Sequence, residues 1–172
     1  MSHDLSAVPH MAGTPAQATT RDYVIDRMKS WGIDAWSKEY TIYLPQPDTV
    51  AAWIITGRRA TPLVLAEPGK GPQIPPFNGY TGDGDVTADV VYVNYGLIED
   101  YKTLDSLGIS VQGKIAIARY GRSFRGIKAR EAQKRGAVGL IVYSDPLEDG
   151  YFRAMSTPKG RCATRTASSA AA

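Results

Sequence analysis

Apolar and polar positions change period several times along this chain, and each change marks an element. Val24, Ile25, Met28 and Trp31 recur at helical spacing on one face. Ahead of them, Thr14-Pro15-Ala16-Gln17 reads as a helix start: a Thr cap, Pro at the first helical position, and Gln three residues after the cap. Gly32 is placed to end that helix in a left-handed conformation. From Trp36 the period becomes two. Trp36, Tyr40, Ile42 and Leu44 lie on one side, with Lys38 as an interruption, and Ser37, Glu39 and Thr41 lie on the other. This alternation predicts a half-buried strand, ended by Pro45 and Pro47. A boundary between two structural regions is placed there.

Beyond it, Val50 to Thr56 and Pro62 to Ala66 read as strands joined by a turn around Gly57. Gly69 to Asp85 is rich in Gly and Pro and predicts a long irregular surface loop. The next stretch is the most regular. Val90 to Tyr95 reads as a buried strand ending at Gly96, Glu99 to Leu107 as a helix ended by Gly108, and Lys114 to Arg119 as a strand ending at Gly121. Gly126 to Arg135 reads as a second helix ended by Gly136, and Val138 to Tyr143 as a third strand before Ser144-Asp145-Pro146. Strands alternating with helices across short links predict crossover units on a parallel or mixed sheet, an α/β fold. After Tyr151 the periodicity stops, and Arg161 to Ala172, without bulky apolar residues, reads as disordered.

Composition narrows the function classes. A hydrophobic fraction of 43% with 22% charged residues is that of an ordinary globular chain. No apolar run reaches bilayer length, and no signal-peptide pattern opens the chain. The net charge of +3 does not call for nucleic acid. Basic residues cluster between Arg119 and Arg135, beside Tyr120 and Phe124, but no nucleic-acid-binding module accompanies them. Lys128 and Arg130 accordingly read as solvated helix residues. The lone Cys162 excludes an internal disulfide and a cysteine zinc cluster. His3 and His10 are the only histidines, and no His-x-x-x-His or His-x-Asp pattern occurs. No catalytic or metal-binding residue is expected in this chain. His10 reads as fixing the approach to the helix cap.

Several strings, in this order, resemble the glutamate carboxypeptidase II family, whose relatives include the transferrin receptor. They are Pro9-His10-Met11-Ala12-Gly13-Thr14, Val91-Tyr92-Val93-Asn94-Tyr95-Gly96, Glu99-Asp100-Tyr101, Gly113 to Gly121, Phe124-Arg125-Gly126-Ile127-Lys128, Gly136-Ala137-Val138-Gly139 and Tyr143-Ser144-Asp145-Pro146. Each alone is weak, while their order and spacing over Pro9 to Tyr151 are specific. The resemblance implies an N-terminal segment of the peptidase domain over 1–46, a protease-associated domain over 47–160, and a tail over 161–172. It implies that the protease-associated domain covers an active-site cleft and helps bind substrate. Zinc, its ligands and a general base are expected in a catalytic domain that this chain lacks. The family also implies peptide substrates with a C-terminal acidic residue, frequent homodimers, and an exported or membrane-anchored parent.

Arg125 matches the family arginine directed at the substrate's terminal carboxylate. The chemistry is sound, because a guanidinium grips a carboxylate through two parallel hydrogen bonds. The alternative is a structural arginine paired with an acid of its own domain. Asn94, Tyr95, Arg119 and Tyr120 end strands on the side where open parallel sheets bind ligands; hydrogen bonding within the loop layer is the equally open alternative.

The tail departs from the family pattern, which runs on to a Ser-Val-Gln-Arg-Gly string. Permitted codons for Arg161 onward, read again after one restored base, give Pro-Met-Arg-Asn-Ala-Asp-Ser-Val-Gln-Arg-Gly. A one-base loss after Gly160 is the expectation this raises, and Met1 reads as an internal start. The leading functional reading is a fragment of a zinc-dependent carboxypeptidase, inactive alone. The alternatives are a free-standing protease-associated binding module and a transferrin-receptor-like, non-enzymatic relative. The helix from Pro15 and the strand to Leu44 would leave apolar faces uncovered, which predicts a marginally stable or insoluble product.

Overall fold

The computed structural model describes residues 2–65 and 72–145. The tail from 161, with Cys162, and the Pro146 turn lie outside the described residues. The chain divides into two compact units. One runs up to Gln46 and takes in a short stretch ending at Ile74; the other begins at Pro47 and holds the remainder.

The N-terminal unit contains α1 (Ser2–Leu5) and α2 (Pro15–Ser30). Thr14 caps α2, its hydroxyl accepting from the Gln17 amide at 3.3 Å, with Pro15 at the first position. Gly32, at φ 78°, ends the helix, and Ile33 N donates back to Met28 O at 3.0 Å. Ile25 and Met28 are half-buried, yet Trp31 is 59% exposed and no α2 residue is fully buried. The strand expected from Trp36 to Leu44 does not form: the segment has no regular secondary structure, and Trp36 is 74% exposed. Alternation can set two faces, but a strand also needs a neighbour to receive its N–H and C=O groups. The described residues give this segment no ladder partner.

In the second unit, β1 (Trp53–Thr56) and β2 (Arg59–Pro62) pair antiparallel, with Ile54 opposite Thr61. The two-residue turn between them holds Gly57 at φ 59°. The predicted Pro62–Ala66 strand is displaced toward the turn, because a tight hairpin pairs only the residues directly beside it. Residues 72–85 carry no helix or strand, in line with their Gly and Pro content.

The body of this unit is β3 (Val90–Tyr92), α3 (Ile98–Ser106), β4 (Ile115–Arg119), α4 (Arg125–Lys134) and β5 (Gly139–Tyr143). The three strands form a parallel sheet in the order β3-β4-β5, with Val91 beside Ala116 and Ala116 beside Leu140. This is the crossover α/β arrangement the alternating pattern implies. Along β4, Ala116 and Ala118 are fully buried while Ile115, Ile117 and Arg119 are only half-buried. The covered face packs Val93, Ala116 and Ala118 with Tyr101 of α3, Ala132 of α4 and Val111 of the α3–β4 link. Small alanines on the central strand let the helices sit close. The opposite face leaves Val90 and Tyr92 at least half exposed. No helix among the described residues is long and apolar enough to cross a membrane.

Candidate functional site

The segments after β3 and β4, with Ser144 and Asp145 after β5, lie at the C-terminal ends of the strands, where an open parallel sheet tends to bind ligands. After β3 the chain turns sharply, with Asn94 at φ 50° and Gly96 at φ 65°. Asp100, in the first turn of α3, fixes that turn. One of its carboxylate oxygens accepts from Asn94 Nδ2 at 2.7 Å and the other from Leu97 N at 2.9 Å. Gly96 is buried, and a Cβ there would lie 3.4 Å from the Cβ of Ala118 and 3.6 Å from that of Lys128. Those are ordinary contact distances, so it is the left-handed backbone at Gly96 that favours glycine.

After β4, Arg119 N donates to Asn94 O and Tyr120 N to Tyr143 O, both at 2.7 Å, which ties these segments together. The Arg119 guanidinium pairs with Asp145 at 2.8 Å. Asn94, Arg119 and Tyr120 thus bond within the loop layer. The buried Tyr95 ring has Arg119 at 4.8 Å, Arg122 at 4.5 Å and Lys128 at 5.5 Å from its centroid. Three cations thus lie against one ring, with Asp145 and Asp100 as neighbouring opposite charges. Burial pushes the Lys128 ammonium below its ordinary pKa, with the Asp100 charge opposing that shift. Burial, followed by a hydrogen bond with Tyr92, pushes the Tyr143 hydroxyl up to about 12.

Arg125 is the first residue of α4, one position earlier than the helix start at Gly126. It is exposed, its guanidinium lies 5.6 Å from the Tyr120 ring centroid, and no acid among the described residues pairs with it. An exposed guanidinium beside a ring keeps N–H donors available for an acceptor. Phe124, at the cap position, supplies no side-chain acceptor to the first turn of α4, whose N–H groups favour a nearby anion.

Lys128 is the clear departure from expectation. It is not solvated but fully buried, and its ammonium donates to Tyr95 O at 2.5 Å and Gly121 O at 2.8 Å. Arg130 is exposed, with 56% of its side chain accessible. A pattern reading misses Lys128 because a lysine amid polar residues looks like a surface position. The signal was its spacing of four from Ala132, on the face turned to the sheet. Arg122, at φ 58°, left no sequence signal at all.

His10 Nδ1 bonds the Val8 carbonyl at 2.8 Å, ahead of α2. No group of three or more His, Cys, Asp or Glu among the described residues could hold a metal ion. The described residues therefore do not fit a zinc centre.

Residues 86–168 match the PA domain family. Among curated proteins, the Zea mays protein named "Probable glutamate carboxypeptidase VP8" is 34% identical over 142 residues, covering 80% of this chain and 20% of that protein. A glutamate carboxypeptidase 2 homolog of Caenorhabditis elegans is 31% identical over 150 residues, covering 80% and 20%. Aminopeptidase NAALADL1 of Mus musculus is 34% identical over 166 residues, covering 86% and 22%. An aminopeptidase structure from Aneurinibacillus sp. strain AM-1 aligns at 26% identity with a TM-score of 0.46, covering 83% of this chain and 30% of that one. The chain spans about a fifth of the length of the curated relatives it matches. It carries a protease-associated domain and, over about four-fifths of its length, is similar to glutamate carboxypeptidase-type peptidases.

Proposed function

We propose that this chain supplies the protease-associated part of a glutamate carboxypeptidase-like zinc metallopeptidase, and that Arg125 grips the terminal carboxylate of the peptide substrate. Residues 1–46 belong to the peptidase domain and 47–160 to the protease-associated domain in this reading. The zinc ions, their ligands and the general base reside in the catalytic part of the enzyme. Substrates end in an acidic residue, and the assembled enzyme is a homodimer.

The observation that supports this most is the state of Arg125. It is exposed, it starts a helix at the loop end of the sheet, and no acid among the described residues claims its guanidinium. The Tyr120 ring lies beside it, 5.6 Å from centroid to guanidinium carbon. The first-turn N–H groups of α4, left without a side-chain cap by Phe124, favour an anion beside Arg125.

The test is binding of N-acetyl-L-glutamate, followed by NMR shifts at the Arg125 side chain. A two-pronged charged hydrogen bond contributes about 1.5–3 kcal/mol, so Arg125→Ala should weaken binding by about 10- to 100-fold. Blocking the α-carboxylate as its amide should cost a similar factor. Equal binding by Arg125→Ala and the parent chain would sink the reading.

A further inference from the structure

The buried Lys128 makes no contact with the ligand in the reading above, yet its setting is specific. An ammonium taken fully out of water is costly, and a purely structural position would be served by an apolar side chain of similar volume. What the ammonium adds is directed N–H donors. Here they join two carbonyls from different loops: Tyr95 O in the turn after β3 and Gly121 O in the loop after β4. The Tyr95 ring covers the same ammonium at 5.5 Å.

Past Gly121 the chain runs through Arg122, in a left-handed conformation, to Phe124 and then Arg125. Lys128 lies one turn along the helix that Arg125 begins. Its bond to Gly121 O therefore closes a ring of chain from Gly121 through Arg125 and back to Lys128. Its bond to Tyr95 O fastens that ring to the β3–α3 turn, which Asp100 already holds through Asn94 and Leu97.

We propose that Lys128 is a positioning residue: its buried ammonium locks the β4–α4 loop to the β3–α3 turn, so that Arg125 is presented from a fixed frame. The proposal rests on the carboxylate-binding reading of Arg125 and adds the device that holds that arginine in place. Lys128 itself does not touch the ligand.

The test uses the full 172-residue chain, isotopically labelled for NMR. In the parent chain the Lys128 ammonium protons should exchange with water at least about tenfold more slowly than those of exposed Lys134. Equal exchange overturns the proposal with no variant made. In Lys128→Met, backbone order parameters at Tyr120–Phe124 should fall from about 0.85 to below about 0.6, while the amides of β4 and β5 stay protected. Unchanged order in that loop, or protection lost across the whole sheet, overturns the proposal. N-acetyl-L-glutamate then separates the two readings. Lys128→Met should bind it about tenfold more weakly, through the loosened loop. Arg125→Ala should lose binding with its loop still ordered. Unchanged binding in Arg125→Ala sinks the carboxylate reading by itself, whereas unchanged binding in a loosened Lys128→Met sinks the positioning role.

Discussion

Tyr101 offers a sharp check on the core of the parallel unit. Its side chain is 1% exposed and packs in the cluster formed by Val93, Ala116, Ala118 and Ala132. Its hydroxyl makes no hydrogen bond among the described residues. The Arg135 guanidinium covers the ring at 4.3 Å from the centroid. A buried hydroxyl without a partner costs about 1–3 kcal/mol relative to its hydrated state. Tyr101→Phe removes that cost and keeps both the ring and the cation–π contact. The oxygen leaves a small void, which returns part of the gain. The expected net effect is a stabilisation of about 1 kcal/mol, or about 4 °C in Tm. Tyr101→Ala, by contrast, should lose about 3–5 kcal/mol, because it empties the centre of the cluster. Urea unfolding followed by circular dichroism measures both, with the m-value as a control that the unfolded state is unaltered. A Tyr101→Phe chain destabilised by more than about 1 kcal/mol would show that the hydroxyl is satisfied, and the reasoning would fail.

Other expectations follow from the same contacts. Tyr143, with its hydroxyl pushed up to about 12 by burial and by Tyr92, contributes stability that is present below its unfolded value near 10 and lost as pH rises through 12. Denaturant titrations across that alkaline window should flatten in Tyr143→Phe. Glu131 is held below the usual carboxylate value, first by its hydrogen bond from Arg135 at 2.9 Å. Its contribution is present above the unfolded value near 4.5 and lost as pH falls through the lower folded value, so Glu131→Gln should blunt the acid limb of the stability profile. Gly96 and Gly108 both have positive φ, but only at Gly96 would a Cβ meet neighbours. Because the contacts at Gly96 are of ordinary length, Gly96→Ala and Gly108→Ala should each cost about 1–2 kcal/mol from the left-handed backbone; a melting temperature equal to the parent's in either variant would contradict the conformation at that glycine.

The alternation of β3, α3, β4, α4 and β5 was readable before any coordinates. Short apolar runs such as Ile115–Arg119, helical runs between them, and glycines at 108, 121 and 136 are local signals that do not depend on a partner. The cap of α2 was equally local, since the Thr14 hydroxyl accepts from the Gln17 amide and Pro15 has no N–H to satisfy. Arg125 was found through a motif, and only the tertiary structure showed that no acid among the described residues pairs with it.

Two failures share one cause. Trp36 to Leu44 alternates as a strand should, yet ladder formation needs hydrogen-bonding partners that lie elsewhere in the fold. Lys128 looks like a surface lysine until α4 docks on the sheet and delivers its ammonium to a carbonyl 33 residues away. Sequence alone determined the capped α2 and the alternating helices and strands of the parallel unit, because those preferences reside in neighbouring residues. Tertiary structure alone decided which polar groups are buried and which apolar faces stay open, because hydrogen-bond acceptors and covering surfaces arrive from distant parts of the chain.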